Sequence, residues 1–293
     1  MIRLSRPTLI GLGAIAIWST LALFTAMSGK VPPFQLVALT FGIGGSVILL
    51  VAALRGTLHL ARPTWASFAL GVYGPFGDTA VYYAALKLSP PAEANLIHYL
   101  WPLLIVLFAA LLPGGRLTPR HLMGALIGLG ALLLLVGGRL GSGDGSAPGL
   151  GGGVWLGYGL ALLGAFIWAS YSVVSRLFAA VPTESLGVTT LGCAVLATLC
   201  HLAFETTIWP SGATEWLGVA GLGIGSMGLA FLCWDIGMKR GDMAFLGVAS
   251  YAAPVLSTVI LVLAGYAEAG WALALACALI VVGALVASRP SKP

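Results

Sequence analysis

Asn95, His98, Tyr99 and Pro102 stand at i, i+3, i+4 and i+7 within the stretch PPAEANLIHYLWPLL, residues 90–104. That spacing places them on one face of a helix. Gly74, Gly77, Asp78, Val81 and Tyr82 form a second stripe of the same period. With Trp101 they gather a carboxylate, an imidazole, a carboxamide, phenols and an indole inside otherwise apolar runs. The chemistry open to such a set is recognition. Rings hold a planar, partly apolar solute, and a few polar groups fix its orientation. Asp78 or the tyrosine hydroxyls can take an amine, while His98, Asn95 or amides exposed at a kink can take a carboxylate. Catalysis fits poorly, because no HExxH, GxSxG or paired acidic motif accompanies them. The sequence calls for no metal and no cofactor. Cys193, Cys200, Cys233 and Cys277 all lie in apolar runs, form no CxxC and read as small buried hydrophobes.

The medium that surrounds these residues follows from composition. Of 293 residues, 59% are hydrophobic and 8% charged. A soluble protein averages about 25% charged residues, so this chain reads as an integral membrane protein. Gly, at 41 residues, is about twice as frequent as usual, which suits closely packed membrane helices. The net charge of +5 is scattered between apolar runs and marks no nucleic-acid surface.

Bilayer crossings need about 20 apolar residues each. Ten runs qualify: 8–28, 33–54, 65–87, 91–112, 120–137, 155–180, 182–203, 214–238, 242–265 and 271–288. The expected fold is therefore an all-α polytopic membrane protein. The first run resembles a secretory signal in its basic start, but its apolar stretch is too long for a signal core, and it is kept as a span. With the N-terminus inside, 11 of the 14 Lys and Arg fall on the inner side and 3 on the outer. That bias predicts both termini in the cytoplasm.

Depth sharpens the site. Trp18 lies at the middle of the first span, Trp168 at the middle of the sixth, and Tyr99 and Trp101 near the middle of the fourth. Trp and Tyr usually collect at the bilayer's two interfaces. A carboxylate at the depth of Asp78 costs at least ~2.5 kcal/mol, so it is expected to face a cavity or a partner. Pro102 removes a backbone hydrogen bond and is expected to kink its helix. Two alternatives stay open. Helix–helix packing alone would place the aromatic residues at this depth. A hydrogen bond to a neighbouring Tyr, His or backbone group would equally satisfy Asp78.

The two halves also echo each other. Trp18 and Trp168, Pro32 and Pro182, and Gly42 and Gly192 are 150 residues apart; Lys87 and Lys239, Tyr99 and Tyr251, and Pro102 and Pro254 are 152 apart. Five spans is an odd number, so the second copy enters the membrane from the opposite side. The expected organisation is a first five-helix repeat over 1–137, a Gly-rich external linker over 138–153 and an inverted five-helix repeat over 154–293. In transporters of this architecture the binding site lies near the midplane, between repeats. The candidate cavity residues are thus Trp18, Asp78, Tyr82, Asn95, His98, Tyr99, Trp101, Trp168 and Tyr251, with Pro102 and Pro254 as gating hinges. Polarity is concentrated in the first half, since Asp78 aligns with Ala230 and His98 with Ser250. Trp234 and Asp235 read as entrance or interface residues, as do His201 and Glu205.

The segments GAIAIWSTLALFTAMSGKVPPFQLVALTFG and GAFIWASYSVVSRLFAAVPTESLGVTTLG, with the five-plus-five repeat, resemble the drug/metabolite transporter superfamily in its EamA-domain branch. Within it the chain is most similar to the YddG-type aromatic amino-acid exporters. The resemblance implies a monomeric secondary transporter of a bacterial inner membrane. It would export aromatic or other neutral amino acids, or similar small metabolites, by alternating access. Phosphorylated cargo is disfavoured, because no Lys or Arg lies near a span centre. Small multidrug relatives exchange drug for protons through a glutamate in their first span. Here residues 8–28 hold no Asp, Glu or His, which favours facilitative export. Proton-coupled antiport through Asp78 and His98 is the alternative. An intramembrane enzyme is the rival from another class.

Overall fold

Ser5 opens the first helix by accepting a hydrogen bond from the Thr8 amide at 3.4 Å, and Pro7 sits in the first turn, where its missing N–H is harmless. The structure, a computed structural model, describes residues 5–111, 152–175, 178, 180–240, 246, 249–250, 252–268 and 270–288, together with isolated positions between 119 and 134. Every regular element among the described residues is helical. The expected fifth span, 120–137, is described only at scattered positions, and the linker, 138–153, lies outside the described residues except for its last two.

Helix α1 (Arg6–Trp18) gives way to α2 (Leu21–Met27) at Ser19 and Thr20. Both hydroxyls donate back into the preceding turn, Ser19 to the Ile15 carbonyl at 2.8 Å and Thr20 to the Ile17 carbonyl at 2.7 Å. Such back-bonding competes with the backbone ladder and bends helices. Helix α3 (Pro33–Leu54) starts at a proline pair and runs unbroken. Helices α4 (Trp65–Gly71) and α5 (Gly77–Leu88) are joined through a π-helical stretch, Val72–Phe76, that contains Pro75. Helix α6 (Pro91–His98) ends at Tyr99 and Leu100, and α7 (Trp101–Leu111) begins with Pro102 in its first turn. The break lies where Pro102 cannot supply the amide that would continue the helix.

In the second half, α8 (Gly152–Ser175) and α9 (Ser185–Phe204) are continuous. Helices α10 (Ala213–Ala220) and α11 (Ala230–Arg240) flank a second π-helical stretch, Gly221–Leu229. Helices α12 (Ala252–Leu263) and α13 (Trp271–Ser288) close the chain. Among the described residues, five stretches are long and apolar enough by themselves to cross a bilayer: Arg6–Met27, Pro33–Leu54, Gly153–Ser175, Ser185–Phe204 and Ala213–Gly237. This is a polytopic membrane protein whose regular elements, among the described residues, are all helices.

The packing pattern fits lipid outside and small residues within. On α9, Val195, Leu199 and Leu202 point outward, while Cys193, Ala194, Ala197 and His201 are buried. Without a hydrophobic drive between helices in lipid, close approach is what favours association. Gly11 of α1 and Gly237 of α11 show it: a Cβ on Gly237 would come within 2.7 Å of the Gly11 Cα. The most extensive contacts join α3 to α9, α1 to α11 and α5 to α8. Each pairs a helix from before residue 137 with one from after 152, so the two parts of the chain interleave rather than stand as separate lobes.

Candidate functional site

A small central cavity of about 60 Å³, room for a few waters, lies where these helices meet. Trp18 ends α1 beside it, Trp168 reaches it from α8, and Tyr99 and Trp101 stand at the α6–α7 break. The indoles form an edge-to-face cluster. Trp18 and Trp168 have ring centroids 5.8 Å apart at 86°, and Trp101 and Trp168 are 6.4 Å apart at 79°. Edge-to-face pairs contribute about 0.5–1.5 kcal/mol beyond their area. The Trp18 Nε1–H donates to the Ser226 carbonyl at 3.1 Å, inside the π-helical stretch of the second half.

Asp78 and His98 form the polar end of the cavity. His98 Nε2 and Asp78 Oδ1 are 2.8 Å apart, and each side chain is about 10% exposed. Asp78 therefore both lines the cavity and holds a partner. Pairing offsets the desolvation that a lone carboxylate would suffer there. The Tyr82 ring stacks on His98 with centroids 4.0 Å apart and 19° between planes, which fixes the imidazole's orientation. Gly164 of α8 faces the pair: a Cβ there would meet Asp78 Oδ1 at 2.9 Å and His98 Cδ2 at 3.1 Å. Only a bare backbone lets α8 lie this close.

Asn95 is turned elsewhere. The Tyr82 hydroxyl donates to Asn95 Oδ1 at 2.6 Å, and Asn95 Nδ2 donates to Ser257 Oγ at 2.9 Å. The carboxamide is spent tying α5, α6 and α12 together, one step behind the cavity wall. Tyr251 lies outside the described residues, as does the side chain of Pro254. Trp234 and Asp235 line a second, larger cavity of about 310 Å³. His201 and Glu205 sit in a buried tie between helices: Glu205 accepts from the amides of Phe34 and Gln35, at 2.9 and 3.0 Å, and His201 Nδ1 is 2.9 Å from Glu205 Oε2. At the same end of the bundle, Lys87 Nζ donates to the Thr25 and Gly29 carbonyls, at 3.2 and 2.6 Å, and to Ser28 Oγ at 2.8 Å.

Sequence reasoning missed Thr79, Met227 and Phe231, all of which line the central cavity. The 152-residue offset that takes Tyr99 to Tyr251 relates two of them, Thr79 and Phe231. The same offset takes His98 to Ser250 and Trp101 to Ala253, and both of these line the cavity too.

The sequence profile of the EamA-like transporter family matches this chain twice, over residues 6–137 and 155–289. The chain belongs to that family. This EamA-like transporter is 55% identical to the aromatic amino acid exporter YddG of Ancylobacter novellus over 285 residues, 97% of each chain. It is 28% identical to the aromatic amino acid exporter YddG of Salmonella typhimurium, over 87% of each. A crystal structure of a chain 53% identical to the transporter superposes with a TM-score of 0.76 and covers 97% of both.

Proposed function

We propose that this transporter exports aromatic amino acids from the cytoplasm across a bacterial inner membrane, down their own gradient. The observation that carries the reading is the central cavity itself: indole and phenol rings on several sides, with one carboxylate–imidazole pair at its polar end. Rings suit an aromatic side chain, and the Asp78–His98 pair suits a zwitterion's charged ends. The name shared by the similar curated proteins points to the same cargo.

Alternating access between two inverted five-helix repeats, 1–137 and 154–293, is the mechanism. Three facts support it. The family profile matches twice, with bounds close to these. Trp18 and Trp168, 150 residues apart, meet face to edge across one cavity. The π-helical stretches at Val72–Phe76 and Gly221–Leu229 fall at corresponding places in the third and eighth spans. Pro102 and Pro254 serve as the hinges, and both termini face the cytoplasm. In that orientation Lys87 ties the outer ends of the first and third spans. The monomer is the working unit, since each chain carries both repeats and a whole cavity between them.

A binding screen on the purified protein tests the cargo. Tryptophan and phenylalanine should bind at least tenfold more tightly than leucine or choline. Equal affinity for aliphatic or purely cationic ligands would reject the reading.

A further inference from the structure

Buried hydroxyls on these helices commonly spend their protons on their own backbone. Thr25, Thr40 and Ser89 each donate to the carbonyl four residues back, at 2.9, 2.8 and 2.7 Å. Ser250, on the wall of the central cavity, does the same toward the Leu246 carbonyl at 2.8 Å. Thr79 departs from this habit. It lines the same cavity from α5 and is 4% exposed, yet its hydroxyl makes no hydrogen bond among the described residues. Nor is it sealed in by protein, as the partnerless Ser226 Oγ is. The hydroxyl opens onto the cavity with its proton unspent.

The local helix accounts for this. Four positions before Thr79 stands Pro75, in the π-helical stretch Val72–Phe76. There the i→i+5 pairing turns carbonyls off the line that a threonine on a regular α-helix would reach. Along α5 the cavity therefore meets two consecutive residues of opposite hydrogen-bonding character. Asp78 Oδ1 faces His98 Nε2, which leaves Oδ2 to accept, and Thr79 donates. Their Cα atoms are about 3.8 Å apart. An α-amino acid carries its ammonium and its carboxylate on one carbon, so partners for both must stand this close together. Ser250, its proton engaged, can only accept, which suits the ammonium side. A neutral His98 that gives Nε2–H to Asp78 keeps only Nδ1, another acceptor. The Tyr99 hydroxyl and the Trp101 and Trp168 N–H groups can also donate, but they sit on the rings that frame the cargo's own ring, and none adjoins a carboxylate in the chain.

We propose that Thr79 reads the carboxylate of the cargo, so that Asp78 and Thr79 together restrict export to α-amino acids and reject the corresponding amines. The Thr79 hydroxyl donates to a carboxylate oxygen, while Asp78 and Ser250 accept from the ammonium. The proposal rests on the reading of the chain as an amino-acid exporter and assigns the head-group half of its selectivity.

Calorimetric titration of the purified protein with tryptophan, and with tryptamine as the analogue that lacks the carboxylate, tests it. The wild type should bind tryptophan about tenfold more tightly than tryptamine, or better. Thr79→Val keeps the shape but removes the donor. It should weaken tryptophan binding about tenfold and move tryptamine by less than about threefold. Thr79→Ser restores a hydroxyl and should bring tryptophan affinity back to within about threefold of the wild type. A tryptamine affinity too weak to titrate counts as the expected preference, and the contrast between Val and Ser on tryptophan then decides. Tryptamine bound by the wild type as tightly as tryptophan overturns the proposal. So does equal weakening of both ligands in Thr79→Val, the mark of a packing role. Loss of the preference for the carboxylate in Tyr99→Phe or Tyr251→Phe, with none in Thr79→Val, overturns it too. Should Thr79→Val fail to insert, Thr79→Ala carries the test with the same expected outcome. Leucine separates the two readings. Leucine bound as tightly as tryptophan, with the same loss in Thr79→Val, sinks the aromatic reading of the cargo and leaves the role of Thr79 standing. A kept preference for tryptophan over leucine, with no loss of affinity in Thr79→Val, sinks the role of Thr79 alone.

Discussion

Trp101 touches the central cavity from the first turn after a helix break, with Trp168 edge-on to it at 6.4 Å. A ring in that position supplies contact area and geometry to a bound aromatic solute, yet its loss removes no backbone hydrogen bond. Trp101→Ala should therefore weaken tryptophan binding about tenfold, the scale of one ring–ring contact plus its buried area. Tyr99→Ala should act in the same direction. Both variants should still insert and elute as folded protein, and substrate titration alongside size-exclusion chromatography checks both halves of the statement. The stripe at Asn95, His98 and Tyr99 was legible in the sequence as one face of a helix. Which neighbour each side chain would meet was not. His98 turned to Asp78 and Asn95 to Ser257, because a helical face spans some 100° and tertiary contacts divide it. Phe231 was hidden for a different reason. In the run GLAFLCWD an apolar ring reads the same whether it faces lipid, a neighbour or a cavity.

At the scale of elements, the break between α6 and α7 was legible because proline leaves a definite mark on a helix. The π-helical stretches were not. Over five to nine residues the side-chain patterns of π- and α-helix differ too little to separate in an all-apolar segment, and only Pro75 hinted at the first. Those stretches still matter, since the Ser226 carbonyl that fixes Trp18 lies in one of them. Lys87 gives the element-scale prediction. Its ammonium holds the last turn of α2 and the following loop through the Thr25 and Gly29 carbonyls, a cation at a helix C-terminus. Hydrogen bonds to a charged group contribute about 1.5–3 kcal/mol in favourable settings. Lys87→Gln keeps a donor but removes the charge, and should lower stability by about 1–2 kcal/mol. A thermal unfolding curve in detergent should move to lower temperature; an unchanged curve would mean that the tie contributes nothing.

For the whole molecule, the decisive question is what drives cargo across. The first span carries no Asp, Glu or His, and the second half has no counterpart of the Asp78–His98 pair. A transporter that only has to let cargo equilibrate needs no second ion, because the substrate itself can stabilise passage between states. The ionisable pair then serves recognition rather than coupling. The most direct measurement is uptake of labelled tryptophan by liposomes holding the purified protein, at equal pH on both sides and with the membrane potential collapsed. Tryptophan should equilibrate across the membrane, and Asp78→Asn should keep part of that flux. Transport that appears only when a proton gradient is imposed, and vanishes in Asp78→Asn, would contradict facilitative export and make Asp78 and His98 the coupling site.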